Sequence, residues 1–226
     1  MDITPGLYVV GTPIGNLDDL SPRAVEVLRG VSVILTEDTR RTRILLDRFQ
    51  LKTPTVSCHK FNEAARAEGI IERIRGGEAL ALVTDAGMPG VSDPGSRMVA
   101  ACRKAGVAVS CIPGPSSVTT AVALCGFNGA GFVFAGFLPR KSGAMRRFLE
   151  QFKDCPAPVV FFESPFRLMK VLDELEAVLG ERELFVGREL TKKFEEHTWG
   201  TPAEVRVRYQ GRTVKGELVL VIAPQF

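Results

Sequence analysis

Strand-like and helix-like segments alternate along the first half of the chain, and this alternation limits the fold more than any other feature. Helical stretches such as 22–30 and 63–75 lie between strand-like runs at 7–11, 31–35, 55–58, 79–85 and 107–113. The run ALALV has no polar alternation, which is typical of a strand covered by helices on both faces. The pattern therefore predicts a parallel sheet in an α/β fold.

The second half of the chain follows a different pattern. Its strand-like runs cover 132–137, 158–163, 183–190, 194–200 and 216–224, with helices expected at 142–153, 165–179 and 202–209. Few residues separate 183–190 from 194–200, too few for a crossover helix, so these runs are expected to pair antiparallel in a mixed sheet. The change of pattern predicts two α/β domains, residues 1–117 with the parallel sheet and residues 118–226 with the mixed sheet.

Three segments rich in Gly, Pro, Ser and Asp follow strands of the predicted first domain, at 11–17, 84–95 and 113–117. In an open parallel sheet, ligands bind beyond the carboxyl ends of the strands. Each segment taken singly is equally typical of a tight turn. The first lacks the G-x-G-x-x-G of dinucleotide-binding loops and the G-K-[ST] of P-loops. Together the segments favour a neutral or cationic small molecule, held by backbone groups and a carboxylate such as Asp85 or Asp93.

Charge and cysteine usage narrow the class of protein further. The 226 residues carry a formal net charge of +3, which fits an anionic partner but is weak evidence by itself. Five widely spaced cysteines form no C-x-x-C pair, and only two histidines accompany them, so no bound metal is expected. The N-terminus lacks signal-peptide features, and no apolar run approaches the roughly 20 residues that span a membrane. A cytoplasmic location without membrane contact is therefore expected.

Seven ordered segments resemble the ribosomal RNA small-subunit methyltransferase I family, part of the tetrapyrrole-methylase-like class of S-adenosylmethionine (SAM) enzymes. They are VGTPIGNLDDLSPRA (10–24), TEDTRRT (36–42), TDAGMPGVSDPG (84–95), IPGPSS (112–117), FAGFLPRK (134–141), FFESPFR (161–167) and RELTKKFEE (188–196). The resemblance implies 2′-O-methylation of a cytidine in the decoding region of 16S rRNA, with S-adenosyl-L-methionine as donor. It also implies two α/β domains with SAM in the cleft, a homodimer, and 16S rRNA within the 30S subunit as partner.

The sequence departs from the family pattern in two places. Residues 57–63, SCHKFNE, have Lys60 and Phe61 where the family has a Glu-His pair, so His59 is not expected to face the substrate. The chain ends at Phe226, whereas many family members continue into a small helical C-terminal domain. It is therefore expected to be either a short member of the family or a truncated sequence.

The loops and the resemblance together supply the candidate SAM-binding residues. These are Pro13, Asp85, Ala86, Gly87, Pro89, Val91, Ser92, Asp93, Pro115, Ser116 and Ser117. Contacts with RNA are expected from one polar and several basic residues beside the matching segments. These are Asn16, Arg40, Arg140, Lys141, Arg167 and Arg188, with Phe137 or Phe166 as stacking faces.

The acceptor chemistry requires a further group. A ribose 2′-hydroxyl is a weak nucleophile, so it needs a base, or a cation that stabilises the developing alkoxide. The candidates are Glu37, Asp38, Lys141, Glu163 and Glu189. Asp38 followed by Thr39 is equally suited to capping the next helix, so the sequence does not select one base.

Two alternative functions remain open on the sequence. A SAM-dependent tetrapyrrole C-methyltransferase would use the same architecture, and the carboxylates of a porphyrinoid also bind arginine. A non-catalytic RNA-binding module is the second alternative. The intact segment 84–95 argues against it, because such a module does not need that loop.

Overall fold

The computed structural model describes residues 3–225 as two compact units, the first ending at Ser116 and the second beginning at Ser117. The first unit has a five-stranded sheet made of β1 (Gly6–Val10), β2 (Val33–Thr36), β3 (Thr55–Ser57), β4 (Ala79–Leu82) and β5 (Val109–Ile112). Its helices are α1 (Pro22–Gly30), α2 (Thr39–Arg48), α3 (Glu63–Arg75) and α4 (Ser96–Lys104).

All strand pairs of the first sheet are parallel, in the order β3-β2-β4-β1-β5, which confirms the predicted parallel sheet. Alternate residues of each strand face opposite sides and enter different cores. Leu80 packs in a cluster with Ile70 and Met98, whereas Ala81 packs in a cluster with Val27 and Leu46. Residues 79–82 are all apolar because the sheet is covered by helices on both faces, as predicted.

The second unit has a mixed sheet, as predicted. Its strands are β6 (Val133–Phe137), β7 (Val159–Glu163), β8 (Leu184–Arg188), β9 (Glu196–Gly200) and β10 (Leu218–Ile222). Its helices are α5 (Ser117–Cys125), α6 (Ser142–Glu150), α7 (Leu168–Leu179) and α8 (Pro202–Tyr209). The strand order is β6-β7-β10-β8-β9, with β6 and β7 parallel and the other pairs antiparallel. The expected antiparallel pair is β8 with β9.

Hydrogen-bonded caps mark two of the predicted helix starts. The Ser21 hydroxyl accepts a hydrogen bond from the Ala24 backbone N–H, and Thr201 and Glu204 form a reciprocal capping box. The helix predicted over 142–153 ends at Glu150, because the next residues form turns. The stretch 165–167 is a 3-10 turn that precedes α7. Among residues 3–225, no helix is long and apolar enough to cross a membrane.

Candidate active site

The three loops predicted to bind a ligand meet at one edge of the first sheet. They follow β1, β4 and β5, which are neighbours in the sheet. Thr12 and Gly87 exchange backbone hydrogen bonds of 2.9 and 3.1 Å, and the Thr12 hydroxyl donates to the Thr84 carbonyl at 3.1 Å. Loops 11–17 and 84–95 are thus fastened to each other by buried hydrogen bonds.

The backbones of Gly11 and Gly114 are in direct contact, which joins loops 11–17 and 113–117. A Cβ placed on Gly114 would lie 2.7 Å from the Gly11 carbonyl carbon and oxygen, closer than real Cβ atoms approach. A Cβ on Gly11 would lie 2.7 Å from the Gly114 nitrogen. Only glycine at both positions allows this approach. We call loops 11–17, 84–95 and 113–117, joined in this way, the glycine loops.

Loop 84–95 has a conformation that depends on residues outside it. Gly87, Gly90 and Gly95 have positive φ values of 81°, 84° and 133°, which glycine adopts readily. Helix α4 begins directly after the loop, and the Met98 backbone N–H in its first turn donates to the buried Glu63 carboxylate at 2.8 Å. Glu63, the first residue of α3, therefore fixes the end of the loop.

The candidate SAM-binding residues differ in their exposure. Pro13, Gly87 and Pro89 are buried and shape the loops, whereas Val91, Ser92 and Asp93 are exposed. Asp85, Ala86 and the segment 115–117 are partly exposed at the surface of the glycine loops. The buried Thr84 hydroxyl has no hydrogen-bond partner among residues 3–225. These loops fit a small polar cation such as SAM. The Thr84 hydroxyl lacks a partner within the described residues, the contact between Gly11 and Gly114 fixes the loops, and the Asp85 carboxylate suits a positive charge.

Beside these loops lies a cavity of about 490 Å³, which we call the β2–β3 cavity. Its lining comes from the ends of β2 and β3, the start of α2 and the loop after β4. The lining residues are Glu37, Asp38, Thr39, Arg40, Ser57, His59, Lys60, Phe61 and Asp85. Asp85 belongs both to this cavity and to the glycine loops, so the two features adjoin each other. The volume is in the range of small-molecule binding sites.

The adjacent carboxylates Glu37 and Asp38 differ in their chemistry. Burial raises the pKa of Glu37, and the nearby Asp85 carboxylate raises that pKa further, which makes Glu37 a stronger base. Hydrogen bonds from Arg40 lower the pKa of Asp38 to about 2. Asp38 is also the N-cap of α2, accepting from the Arg40 backbone N–H at 2.9 Å. The capping role considered for Asp38 is therefore present.

The structure brings together four candidates from unit 1, Glu37, Asp38, Arg40 and Asp85, in the β2–β3 cavity. The Asp38 backbone N–H donates to Asp85 at 3.2 Å, and Arg41 pairs with Asp85 at 3.4 Å. Asn16, in loop 11–17, is not among the residues that line this cavity; it caps a short 3-10 turn by accepting from the Asp18 backbone N–H.

His59, which the sequence does not predict to face the substrate, lies in the lining of the β2–β3 cavity. Its neighbours place it there. The Asn62 amide oxygen accepts from the His59 backbone N–H at 2.8 Å, and the Asn62 amide nitrogen donates to the Ser57 carbonyl at 3.3 Å. This turn follows β3 and leads into α3. It therefore presents residues 59–61 at the same sheet edge as Glu37.

Two candidates of the second unit, Glu163 and Arg167, form an ion pair in which Glu163 is buried and Arg167 is partly exposed. Their charged groups are 3.2 Å apart, and the Glu163 side chain is fully buried. Arg167 also donates to the Leu138 and Pro139 carbonyls at 3.0 Å each, and burial raises the pKa of Glu163. This geometry favours a structural role, in which the pair holds the segment after β6.

The basic candidates of the second unit fall into two groups. Arg140 and Lys141 are exposed at the start of α6, and neither has an ion-pair partner among residues 3–225. Arg188 is half-buried and pairs with Glu196 at 2.8 Å. Lys192 bridges Glu189 and Glu217 at 2.8 Å each. Glu189, a candidate base, is therefore ion-paired as well. Arg140 and Lys141 thus differ from Arg188 in being exposed and without an ion pair in the described part of the chain.

Comparison with known proteins identifies the family. The Tetrapyrrole (Corrin/Porphyrin) Methylases profile matches residues 6–205. Ribosomal RNA small subunit methyltransferase I of Thermotoga maritima is 42% identical over 217 residues, which are 96% of this chain and 97% of that relative. The same-named protein of Mesorhizobium japonicum is 43% identical over 224 residues, 98% of this chain and 76% of that relative. This chain belongs to the ribosomal RNA small subunit methyltransferase I family.

Solved structures agree on the fold. The methyltransferase CobJ superposes with a TM-score of 0.71 at 19% identity, covering 97% of this chain and 94% of that chain. Uroporphyrin-III C-methyltransferase from Thermus thermophilus, complexed with S-adenosylhomocysteine, superposes with a TM-score of 0.66 at 18% identity, covering 96% of each chain. This family member therefore has the tetrapyrrole methylase fold, as predicted.

Sequence reasoning missed several residues that shape the site. The glycine loops are supported by Thr12 and Glu63, and Asp85 is paired with Arg41. Each of the three is a polar residue in a loop or near a helix start, where the sequence alone indicates no special role. On the sequence, Lys60 and Phe61 are only departures from the family pattern. Their position directly after a short strand was the signal for their place at the sheet edge. Within residues 3–225, no group of three His, Cys, Asp or Glu side chains is arranged to hold a metal ion.

Proposed function

We propose that this family member methylates the 2′-hydroxyl of a cytidine in the decoding region of 16S rRNA, using SAM. Its similarity to proteins named ribosomal RNA small subunit methyltransferase I supports SAM-dependent rRNA methylation. The observation that carries the proposal is the junction at Asp85, where the glycine loops adjoin the β2–β3 cavity. The glycine loops suit the methyl donor, and the β2–β3 cavity suits the nucleotide that accepts the methyl group.

The glycine loops would hold SAM through their backbone groups, the Thr84 hydroxyl and Asp85. When bound, SAM supplies a methyl group activated by its sulfonium. Positioning contributes much of the rate enhancement in a displacement of this kind. The contacts between Thr12 and Gly87 and between Gly11 and Gly114 keep the loops in one conformation before any ligand arrives.

Glu37 would accept the proton of the ribose hydroxyl in the β2–β3 cavity. Its raised pKa makes it the stronger base of the two adjacent carboxylates, and Asp38 is occupied by Arg40 and by the N-terminus of α2. Glu163 has no exposed side-chain surface, and its carboxylate lies 3.2 Å from the Arg167 guanidinium. The proposed roles are thus proton acceptor for Glu37 and positioning for Asp38.

One experiment separates this function from its alternatives. The protein is incubated with tritiated SAM and, in parallel, 30S subunits, naked 16S rRNA and uroporphyrinogen. Label in RNA, located at a cytidine ribose, is expected, and the comparison of the two RNA arms shows whether the 30S subunit is required. Label in uroporphyrinogen alone would establish tetrapyrrole methylation instead. No label in any arm, with SAM bound, would indicate a non-catalytic binding module.

We propose that Arg140 and Lys141 contact RNA phosphates. Reversing both to glutamate should weaken RNA binding, and the slope of log affinity against log salt should become shallower by roughly 0.7 for each lost contact. Filter binding at several salt concentrations measures this slope. SAM affinity should stay unchanged.

A matched control is the double reversal of Arg103 and Lys104, two adjacent exposed basic residues at the C-terminal end of α4. It changes net charge by the same amount. If both double variants show the same salt slope, then the effect comes from total charge, and Arg140 and Lys141 do not contact RNA.

We also propose a homodimer formed through the β6 edge of the second sheet. Strand β6 is an edge strand, and Phe137 is 60% exposed with its ring centroid 5.4 Å from that of Phe162. An apolar edge of this kind favours pairing with another chain. Light scattering should give twice the chain mass, and Phe137→Glu should shift the protein to monomer. A monomer mass for the unaltered protein at micromolar concentration would refute the dimer.

A further inference from the structure

The rim of the β2–β3 cavity carries an aromatic side chain that does not pack in the fold. Phe61 is 91% exposed, although it lines the cavity together with His59 and Lys60. Its only ring contact among residues 3–225 is with His59, edge to face at 6.1 Å between centroids. An exposed phenylalanine does not contribute the hydrophobic free energy that its burial would give to folding. Its position beside a cavity therefore indicates that the ring contacts a ligand.

The backbone holds Phe61 in place even though its ring is exposed. The His59 carbonyl accepts from the backbone N–H groups of Asn62 and Glu63 at 3.0 and 2.9 Å, and the His59 ring nitrogen accepts from the Phe61 N–H at 3.3 Å. Glu63 in turn is anchored to α4 through Met98. The turn is thus tied at both ends, and Phe61 is presented from a fixed position.

The charges around the cavity indicate the chemistry of the ligand. Lys60 and Arg40 are exposed cations in the lining, Arg40 being paired with Asp38 at 2.9 Å. The acidic residues Glu37 and Asp85 lie in the same cavity. A nucleotide offers a flat base for an aromatic ring, a phosphate for cations, and a sugar hydroxyl for a carboxylate. RNA-binding proteins commonly stack unpaired bases on aromatic side chains.

We infer that Phe61 is the stacking platform for the base of the nucleotide to be methylated, with Lys60 beside its phosphate. This inference rests on the proposed function and adds how the target is recognised. The target nucleotide enters the β2–β3 cavity unstacked from its RNA neighbours. Its ribose then lies at Glu37, next to the glycine loops. Single-stranded RNA is accepted in this cavity, and the same sequence in a duplex is rejected.

The test compares Phe61→Ala, Phe61→Trp and Phe194→Ala. Phe194 is an exposed phenylalanine of the second unit, 64% exposed and outside the β2–β3 cavity, so it serves as the matched control. Loss of one stacked base should raise KM for 30S subunits by about tenfold or more in Phe61→Ala. Phe61→Trp should keep KM near that of the unaltered protein, because the larger ring also stacks. Phe194→Ala should have no effect on KM.

A second measurement detects stacking without catalysis. The chain has one tryptophan, Trp199, so the added signal of Phe61→Trp is the difference from the unaltered protein. A cytidine-containing single-stranded oligonucleotide should quench that added fluorescence, and the same oligonucleotide in a duplex should not. SAM affinity, measured by calorimetry, should be equal in all variants.

The outcomes separate this inference from the proposed function. If Phe61→Ala keeps the KM of the unaltered protein and the Phe61→Trp fluorescence is not quenched, the stacking role is wrong, although RNA methylation can stand. If Phe194→Ala raises KM as much as Phe61→Ala, the effect is not specific to the cavity and the inference fails. If the unaltered protein methylates no RNA, the proposed function fails, and the quenching measurement still decides whether Phe61 stacks bases.

Discussion

Replacing Glu37 with glutamine is expected to lower kcat for RNA methylation by about 10²- to 10⁴-fold, the usual contribution of a general base. Glutamine has nearly the same size and still forms hydrogen bonds, but its amide does not accept a proton. SAM affinity and KM for 30S subunits should change little. Single-turnover methylation with tritiated SAM measures the effect on the chemical step.

The pH profile provides a second readout for Glu37. A base is active when deprotonated, so the rate should fall as pH decreases through the pKa of Glu37. Burial and Asp85 raise that pKa, and the fall therefore begins at higher pH than for an ordinary glutamate. The glutamine variant should lose this dependence.

Asp38→Asn makes the same change at the neighbouring carboxylate. Asparagine remains a good N-cap, so α2 should be retained and kcat should stay within a few fold of the unaltered value. If Asp38→Asn loses more activity than Glu37→Gln, then Asp38 is the base and the assignment to Glu37 is wrong.

Gly114→Ala is expected to reduce SAM affinity by about 100-fold or more and to destabilise the fold by roughly 1–3 kcal/mol, the usual cost of overpacking. The new methyl group would lie 2.7 Å from the Gly11 carbonyl carbon and oxygen. These are backbone atoms between two strand ends, so relief requires that loops 11–17 and 113–117 separate. Urea unfolding and calorimetric titration with SAM measure the two effects independently.

Gly69→Ala is the matched control for this change. Gly69 lies within α3, and a Cβ there has no heavy atom within 4 Å. The substitution should therefore stabilise the protein by about 0.5–1 kcal/mol, because alanine favours a helix over glycine. SAM affinity should not change. Unaltered SAM binding in Gly114→Ala would show that the contact between the two glycines does not shape the donor site.

Much of the fold was predictable because its causes are local. The ten strand-like runs all contain a strand, since continuous or alternating apolar residues specify burial on two faces or one. The short polar connection before β9 dictated an antiparallel pair. Ser21 and the Thr201 capping box marked helix starts through hydrogen bonds within four residues.

The site was predictable only in part. The glycine loops were found because each follows a strand, and parallel strands end at one edge of a sheet. The sequence left Glu37 and Asp38 equivalent, because their difference comes from burial, from Asp85 and from Arg40. It did not place His59 at the cavity, because the turn that holds this residue depends on Asn62 and on the end of β3.

The sequence by itself determined the α/β class, the parallel and mixed sheets, the glycine loops and the resemblance to a methyltransferase family. These properties depend on apolar periodicity, on turn residues and on ordered motifs, all of which can be read along the chain. Only the tertiary structure decided that Gly11 contacts Gly114, that the buried Glu163 pairs with Arg167, and that Phe61 lines a cavity with Glu37. Each of these joins residues from different segments, and their distances, burial and charges arise only when the strands pair.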